Sequence, residues 1–408
     1  MYRRWLEERL ARDLRKPLVH ILFGARQTGK TTLLDRLIPN ASARYNLADP
    51  EERSRLLADP GAFRRECEAL PSTGKPDIVV VDEAQAVPSV FDAVQVLYDR
   101  SPRRWRFVLC GSSARKLRRQ GTNLLPGRSL LHRLYPLILG ERPAREASMR
   151  PMVVPMAPMA GNEVFPSADL ETRLAYGDLP GIVQMAAAER PRVLQSYAMV
   201  HLEEEIRREA LVKDWGAFVN FLRLAARESG GILNYAALSR DVGLTIPTIK
   251  SHYQLLEDMF VGFHVPAFSR SPRKNLLSTP RFYLFDLGVR HAASGAMPGA
   301  DVVLADPGRF LEHWVVCELW RRLQYMGEGS LHYFRTKDGA AIDAIIELGG
   351  EVIPVEVKWT ARPGTGDATA LERFIGETRA ARRGFVVCRC PRAARLTSHV
   401  TAIPWHAL

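Results

Sequence analysis

Residues 24–31, GARQTGKT, constrain the fold more than any other part of the chain. They fit the phosphate-binding loop pattern, and they stand between an apolar run at residues 19–23 and a helical pattern at residues 31–38. Glycines allow such a loop to turn its N–H groups onto phosphate oxygens, and the positive end of the following helix faces the same point. An accidental glycine-rich turn is the alternative, but the strand–loop–helix context favours a nucleotide site.

Each part of this loop has an expected role toward ATP and Mg²⁺. Lys30 is expected to reach the β- and γ-phosphates, and Thr31 is expected to hold Mg²⁺. The remaining phosphate-binding candidates are Gly24, Ala25, Arg26, Gln27, Thr28, Gly29 and Thr32.

A second motif lies about 50 residues further along the chain. The apolar run IVVV at residues 78–81 predicts a central strand, and Asp82 and Glu83 follow it directly. We expect Asp82 to bind Mg²⁺ through its water shell and Glu83 to polarise the attacking water as general base. An ordinary acidic strand end is the alternative.

Two further candidates for catalysis follow. The strand predicted at residues 106–110 leads into Gly111, Ser112 and Ser113, where a polar side chain can hold the γ-phosphate or the attacking water. Ser113 or Ser112 is the candidate, and a simple turn serine is the alternative. Arg128 is a candidate arginine finger donated to the nucleotide of a neighbouring subunit, with a solvated loop arginine as the alternative.

Four segments resemble a known family: GARQTGKTTLL, IVVVDEAQ, GSSARKL and LLPGRSLLHRLYPL resemble the AAA-type, STAND-like ATPase domain of many bacterial and archaeal proteins. In that family the ATPase is joined to a C-terminal domain with a restriction-endonuclease-like fold. Residues 176–181, YGDLPG, are similar to the family's lid segment, which implies that Pro180 approaches the adenine. The chain departs from the family after YPL, because residues 145–165 are rich in Met and Pro where relatives continue into a helix.

The middle of the chain has helix-turn-helix spacing. A short helix is predicted at residues 234–243, a turn at 244–245 and a second helix at 246–260, followed by a basic hairpin. This is the winged-helix pattern, which commonly places its second helix in a DNA groove. Packing or assembly without DNA is the alternative. The candidate nucleic-acid contacts are Lys250, His252, Arg270, Arg273, Lys274 and Arg281.

Charge also favours DNA as a partner. The 408 residues include 57 Lys and Arg against 45 Asp and Glu, a formal net charge of +12. Residues 101–140 contain nine Lys or Arg, Arg115 and Lys116 among them, and no acid. A solvated basic face is the alternative. No apolar run is long enough to span a bilayer, so no membrane partner and a cytoplasmic location are expected.

The C-terminal acids resemble those of the PD-(D/E)xK nuclease superfamily. Asp343 and Glu356 could hold Mg²⁺, and Lys358 shares a strand face with Glu356, where it could position a nucleophile. Glu318, on a helix predicted at residues 310–325, could complete the site. Metal or DNA binding without cleavage is the alternative, because a nuclease fold does not establish a nuclease.

The predicted architecture is therefore an α/β protein in four segments. Residues 1–145 form a P-loop AAA-type core, 146–215 a linker and helical lid, 216–300 a winged helix, and 301–408 a restriction-endonuclease-like α/β domain. The first hypothesis is an ATPase that couples ATP turnover to DNA translocation or remodelling, such as branch migration, in a ring-like oligomer for which a hexamer is one candidate. The alternatives are a nucleotide-gated, Mg²⁺-dependent nuclease and an ATP-gated signalling or assembly module without DNA binding.

Overall fold

A computed structural model describes residues 2–72, 74–113, 127–146, 151–154, 164–202, 207, 212, 214–269, 279–336 and 339–408. These residues form two compact units. The N-terminal unit comprises Arg4–Tyr135 together with Asp258–Phe260, and the C-terminal unit comprises the rest of the chain. No helix in the described ranges combines the length and apolarity that a membrane crossing requires.

A parallel five-stranded sheet of order β2-β3-β4-β1-β5 forms the centre of the N-terminal unit. The three buried parallel strands predicted from apolar runs are confirmed as β1, β3 and β4. The strands are β1 Val19–Phe23, β2 Ala43–Asn46, β3 Asp77–Asp82, β4 Trp105–Gly111 and β5 Ser129–Arg133. The helices are α1 Leu6–Asp13, α2 Lys30–Leu37, α3 Pro50–Ala58, α4 Ala62–Glu68 and α5 Ser89–Arg100.

Alternate residues of the central strands form the core of this unit. Ile21, Val79 and Phe107 project from neighbouring strands into one cluster with Phe91 and Leu97 of α5. This alternation arises because successive side chains of a strand point to opposite faces of the sheet. All five residues of β1 are buried, so the loop that follows β1 is anchored at the centre of the sheet.

The first half of the C-terminal unit is mainly helical and contains a two-stranded antiparallel ribbon, β6 Gly262–Val265 with β7 Arg281–Leu284. The two helices predicted at residues 234–243 and 246–260 are present before this ribbon, and the winged-helix assignment stays a prediction. The helices are α6 Leu170–Tyr176, α7 Pro180–Val183, α8 Arg190–Ser196, α9 Trp215–Arg227, α10 Tyr235–Val242, α11 Ile246–Asp258, α12 Leu287–Ala293 and α13 Ala300–Ala305, and a π-helical segment spans Tyr197–Leu202.

A six-stranded mixed sheet of order β12-β13-β11-β10-β9-β8 forms the second half. Its strands are β8 Ser330–Arg335, β9 Ala341–Leu348, β10 Glu351–Val357, β11 Gly384–Cys388, β12 Ala394–Arg395 and β13 Val400–Pro404. Helix α14, Pro307–Met326, packs its Trp314 and Leu319 against Val355 on one face. Helix α15, Thr369–Glu377, packs Phe374 against Val386 on the other face. This region is therefore α/β, and the restriction-endonuclease-like fold stays a prediction.

A fully buried ionic network fixes the segment that the sequence likened to a lid. Asp178 Oδ1 accepts hydrogen bonds from Arg142 Nη1 at 3.0 Å and from Arg173 Nη1 at 3.1 Å. Its Oδ2 accepts a hydrogen bond from Trp314 Nε1 of α14 at 3.0 Å. Burial alone would raise the pKa of Asp178, but the guanidinium groups around it hold that pKa below its ordinary value.

Candidate functional site

The predicted phosphate-binding loop connects β1 to α2 at the carboxyl edge of the parallel sheet. Gly29 has φ +91°, a conformation that favours glycine, and α2 begins at the next residue. Gly24 lies so close to β5 that a Cβ there would stand 2.3 Å from the Leu134 carbonyl oxygen. Both glycines of the motif are therefore required by the backbone itself.

Lys30 lies inside this loop. Its Nζ donates hydrogen bonds to the carbonyl oxygens of Gly24 at 2.8 Å and Ala25 at 3.0 Å, and the side chain is buried. Thr28 reinforces the turn by donating from Oγ1 to the Ala25 carbonyl at 2.8 Å. The loop thus encloses the ammonium, and its contact with the β- and γ-phosphates stays a prediction.

Thr31 and Asp82 meet although 51 residues separate them in the sequence. Thr31 Oγ1 donates a hydrogen bond to Asp82 Oδ2 at 2.6 Å, and the second oxygen, Oδ1, accepts the Glu83 N–H at 2.9 Å. A hydroxyl and a carboxylate side by side are hard oxygen ligands, which is the donor chemistry that Mg²⁺ prefers. The two residues therefore fit the predicted metal role.

Glu83 belongs to a polar group that the sequence predicted only in part. Ser112 Oγ donates to Glu83 Oε2 at 3.2 Å, so Ser112 is the serine whose contact with Glu83 the structure records. Ser113 is fully buried at the next position. Gln85 Nε2 also donates to Glu83 Oε2, and to Ser112 Oγ at 3.1 Å. The catalytic roles of Glu83, Ser112 and Ser113 remain predictions, and Gln85 was visible in the segment IVVVDEAQ without being assigned a role.

Arg4 is a second residue of this region that sequence reasoning missed. Its guanidinium is buried and donates to the carbonyl oxygens of Thr28 and Tyr135, each at 2.6 Å. Arg4 therefore supports the loop by donating a hydrogen bond to the carbonyl of the peptide just before Gly29. No motif marks it, because its partners are backbone atoms distant in the sequence.

Arg128 lies at the opposite edge of the sheet from the loop. Its carbonyl accepts the N–H of Val19 at 2.9 Å, at the start of β1, whereas the loop follows the end of β1. Its Nε pairs with Asp99 at 2.6 Å. Arg128 therefore does not serve this chain's own phosphates, and a finger role toward a neighbouring subunit stays a prediction. Pro180 is buried at the start of α7 in the C-terminal unit, and its adenine contact also stays a prediction.

Two of the candidate nucleic-acid contacts are wrong as exposed contacts. His252 is buried, with its ring 4.8 Å from Phe218 and 5.2 Å from Phe221, because it falls on the inward face of α11. Arg281 is held inside the C-terminal unit by an ion pair with Glu312 and by stacking 4.9 Å over Tyr333.

The other nucleic-acid candidates divide into two groups. Lys250 is exposed, 5.2 Å over the ring of Tyr235, so its predicted contact stays open. Arg270, Arg273, Lys274, Arg115 and Lys116 lie outside the described residues, as do most residues of the Met- and Pro-rich stretch.

The C-terminal acids form an acid cluster, defined here as Glu312, Asp343 and Glu356 with the cations Arg281 and Lys358. Lys358 Nζ lies 2.8 Å from Glu356 Oε1, and Asp343 Oδ2 accepts the N–H of Val357 at 2.9 Å. Burial, followed by the charge of Asp343, raises the pKa of Glu312 to about 7 and that of Glu356 to about 7. Burial likewise raises the pKa of Asp343.

The prediction that Glu318 completes this cluster is wrong. Glu318 is buried elsewhere, where its Oε1 accepts hydrogen bonds from Arg322 Nε at 2.8 Å and from the Leu139 N–H at 2.9 Å. The acid of α14 whose pKa is raised by the charge of Asp343 is Glu312, six residues earlier on the helix. Among the described residues, no group of three or more His, Cys, Asp or Glu has the geometry of a metal site. A metal role for Asp343 and Glu356 remains a prediction.

Three protein families match separate parts of the chain. A model of an AAA domain matches residues 16–142. A domain of unknown function, DUF8612, matches residues 167–299, and another, DUF4143, matches residues 307–408.

Two mycobacterial relatives resemble most of the chain. The uncharacterized proteins Mb2031c of Mycobacterium bovis and Rv2008c of Mycobacterium tuberculosis are each 24% identical to it over 363 residues, covering 88% of this chain and 75% of theirs.

Two solved structures show weaker likeness, both at 13% identity. PCH-2 of C. elegans has a TM-score of 0.25 and covers 62% of this chain, which spans 66% of that protein. A STAND protein with a tetratricopeptide repeat sensor from Pyrococcus horikoshii has a TM-score of 0.27, with 78% of this chain and 47% of that one covered. These scores are too low to establish a common fold.

Proposed function

We propose that the N-terminal unit binds ATP with Mg²⁺ and hydrolyses it at the carboxyl edge of its parallel sheet. The observation that carries this proposal is the 2.6 Å contact between Thr31 and Asp82, which joins the two halves of the nucleotide site from distant parts of the sequence. The match of residues 16–142 to an AAA domain supports it independently.

The residues of the site have complementary roles in this proposal. Lys30 would exchange the loop carbonyls that it now contacts for phosphate oxygens, a better partner for an ammonium. Mg²⁺, held by Thr31 and Asp82, would supply positive charge against the phosphates. Glu83, next in the chain after Asp82, would accept a proton from the attacking water.

Nucleotide binding and turnover in loop variants test this proposal. Lys30→Ala should abolish ATP binding and hydrolysis, because the loop then loses the buried ammonium that is expected to contact the β- and γ-phosphates. Glu83→Gln should bind ATP and fail to hydrolyse it. Lys16→Ala is a matched control, because Lys16 is an exposed lysine outside the loop that forms an ion pair with Asp13. Unchanged turnover in Lys30→Ala and Glu83→Gln would contradict the proposal.

We further propose that ATP turnover acts on DNA, through translocation or remodelling by a ring-like oligomer. The net charge of +12 and the exposed Lys250 on α11 support DNA as the partner. Filter binding with single-stranded, duplex and branched DNA across a salt series would test it, because the slope counts phosphate contacts. Lys250→Ala should weaken binding, with Lys16→Ala as control. Absence of DNA affinity at low salt would favour the ATP-gated signalling or assembly module instead.

A divalent-cation site in the acid cluster, with DNA cleavage as its activity, is a second candidate function. The observation that favours it is Glu356 Oε2, which is buried and accepts no hydrogen bond from the residues that the structure describes. A cation would satisfy this oxygen, and Lys358 lies beside it. Two activities should be lost in Asp343→Asn: Mn²⁺ binding, measured by calorimetry, and the nicking of plasmid DNA. A protein that binds no Mn²⁺ and cuts no plasmid in any nucleotide state would reject this candidate.

A further inference from the structure

The turn after β3 brings Gln85 back onto the carboxylate of Glu83. Glu83 has φ +51°, a left-handed conformation that is uncommon for a residue with a side chain. A 3₁₀ turn, Ala84–Ala86, follows directly, and the Ala86 N–H donates to the Glu83 carbonyl at 2.8 Å. Strained backbone of this kind persists where the surrounding structure holds it, often at functional sites. Here the left-handed backbone at Glu83 turns the chain so that the side chain of Gln85, two residues later, contacts the Glu83 carboxylate.

Two donors converge on one oxygen of Glu83. Gln85 Nε2 and Ser112 Oγ both donate to Oε2, and Gln85 Nε2 also lies 3.1 Å from Ser112 Oγ, which closes a triangle. The other oxygen, Oε1, accepts no hydrogen bond from any residue in the described ranges. The carboxylate is therefore anchored through one oxygen, and the direction of the second oxygen is fixed.

The Gln85 amide is held in this orientation at a cost. Gln85 is 5% exposed, and its Oε1 is buried without a hydrogen-bond partner among the described residues. Turning the amide over would place Oε1 against the Glu83 carboxylate, where two acceptors repel each other. Leaving a buried acceptor unpaired destabilises the fold. The contact with Glu83 is therefore strong enough to fix an otherwise unfavourable amide.

Gly111 at the end of β4 makes room for this amide. A Cβ at Gly111 would lie 2.4 Å from Gln85 Oε1 and 3.3 Å from its Cδ. The pair Gly111–Ser112 thus supplies both the space for Gln85 and the second donor for Glu83. Neither feature belongs to the phosphate-binding loop or to the acid pair that the sequence motifs define.

We propose that Gln85 is a positioning residue for ATP hydrolysis: with Ser112 it anchors Glu83 through Oε2, so that Oε1 accepts the proton of the attacking water. This inference rests on the proposed ATPase activity. It assigns Gln85 and Ser112 no contact with the nucleotide. Their loss should therefore lower kcat and leave ATP affinity unchanged, a split that a general loosening of the fold would not produce.

Matched substitutions remove the hydrogen-bond donors of Gln85 and Ser112 while keeping the side-chain volume nearly constant. Gln85→Met keeps the length of the side chain and removes the N–H donors, and Ser112→Val and Ser112→Thr differ only in the hydroxyl. Gln85→Met and Ser112→Val should each lower kcat by about tenfold to a hundredfold, the cost expected of a misplaced catalytic group. Ser112→Thr should keep most of the rate, and the Kd for ATP should stay within about twofold in all three.

A Glu83→Gln background separates this inference from the proposed function. If Gln85 acts through Glu83, Gln85→Met should have no further effect on the residual rate once the carboxylate is gone. Turnover by the unmodified protein with an unchanged kcat in Gln85→Met would overturn the inference and leave the ATPase proposal intact. A kcat loss in Gln85→Met that persists in the Glu83→Gln background would also overturn it. An unmodified protein that binds ATP without hydrolysing it would overturn both.

Discussion

The two groups of carboxylates in this molecule differ in how their charge is compensated. At the edge of the parallel sheet, Asp82 and Glu83 accept hydrogen bonds from two hydroxyls, one side-chain amide and one backbone N–H. All of these donors are neutral. In the acid cluster, Glu312 and Glu356 are paired with the cations Arg281 and Lys358. Neutral donors fix the direction of a carboxylate and leave its negative charge available to a ligand. A paired cation instead neutralises most of that charge. The first group is therefore arranged for an incoming cation and water, and the second is in large part internally balanced.

The largest expected effect comes from removing a cation of the acid cluster. Arg281→Met should lower the free energy of unfolding by about 3–5 kcal/mol, because it leaves Glu312 largely buried without its ion-pair partner. Urea denaturation measures this change. The double variant Arg281→Met with Glu312→Gln should recover much of the loss, since no carboxylate then remains to be compensated. A loss below about 1 kcal/mol would show that the cluster is not internally balanced in the way described.

The pH dependence of stability gives the next largest effect. The pKa of Glu356 is raised from 4.5 to about 7 in the folded protein, with burial as the largest cause and Asp343 as the next. Between these values the folded state binds the proton and the unfolded state does not, so the free energy of unfolding should fall as pH rises from 4.5 to about 7. The decrease should be on the order of 2 kcal/mol for this group.

Glu356→Gln should make that decrease shallower, because the amide does not titrate; Glu312, whose pKa is also raised to about 7, still contributes to it. Denaturant unfolding at intervals between pH 4 and pH 8 compares the two proteins. A profile in Glu356→Gln as steep as that of the unmodified protein would place the pH dependence elsewhere.

These contrasts also explain how much the sequence could predict. The phosphate-binding loop and the acid pair are local patterns, and their meeting follows from the rule that parallel strands present their carboxyl ends at one edge. Three of the strands were likewise predicted because buried parallel strands read as continuous apolar runs. Beyond residues 1–145, the sequence predicted a helical lid, a winged helix and a restriction-endonuclease-like domain, and these three assignments stay predictions.

The errors have a common physical origin. Glu318 and Glu312 both lie on α14, and only the rotation of that helix on its sheet decides which one faces Asp343. His252 was assigned to the outer face of α11, but packing against Phe218 determines its real orientation. Arg4 was missed because its partners are backbone carbonyls distant in the sequence. Gln85 was missed because its contact with Glu83 depends on the left-handed turn at Glu83, and its contact with Ser112 depends on tertiary structure. Side-chain facing depends on packing, which spacing along the sequence does not contain.

A smaller effect is expected at Arg4, whose guanidinium supports the phosphate-binding loop through backbone carbonyls. Arg4→Met should weaken binding of a nonhydrolysable ATP analogue about fivefold to tenfold, about 1 kcal/mol, because the loop loses two charge-assisted hydrogen bonds at the Thr28 and Tyr135 carbonyls. Calorimetric titration measures the change. Arg4→Lys is the control, since it keeps the charge but loses the forked geometry of the guanidinium. Its affinity for the analogue should fall between that of the unmodified protein and that of Arg4→Met. Equal affinities in all three proteins would show that the loop needs no such support.

The smallest expected effect on stability concerns Arg128. Its pair with Asp99 is more than a third exposed on both sides, so Arg128→Ala should change the free energy of unfolding by less than about 1 kcal/mol. If Arg128 acts on a neighbouring subunit, the same variant should lose ATP turnover. Mixing Arg128→Ala with Glu83→Gln should then restore part of the rate, because some interfaces combine an intact Glu83 with an intact Arg128. Full activity in Arg128→Ala alone would remove the finger role.

Release of inorganic phosphate from saturating Mg²⁺-ATP tests the nucleotide site most directly, with ATP binding measured in parallel on the same protein. We expect steady release by the unmodified chain, and a rate about 10²- to 10⁴-fold lower in Glu83→Gln at undiminished ATP affinity. Equal rates in the two proteins, or no release by either, would contradict the account.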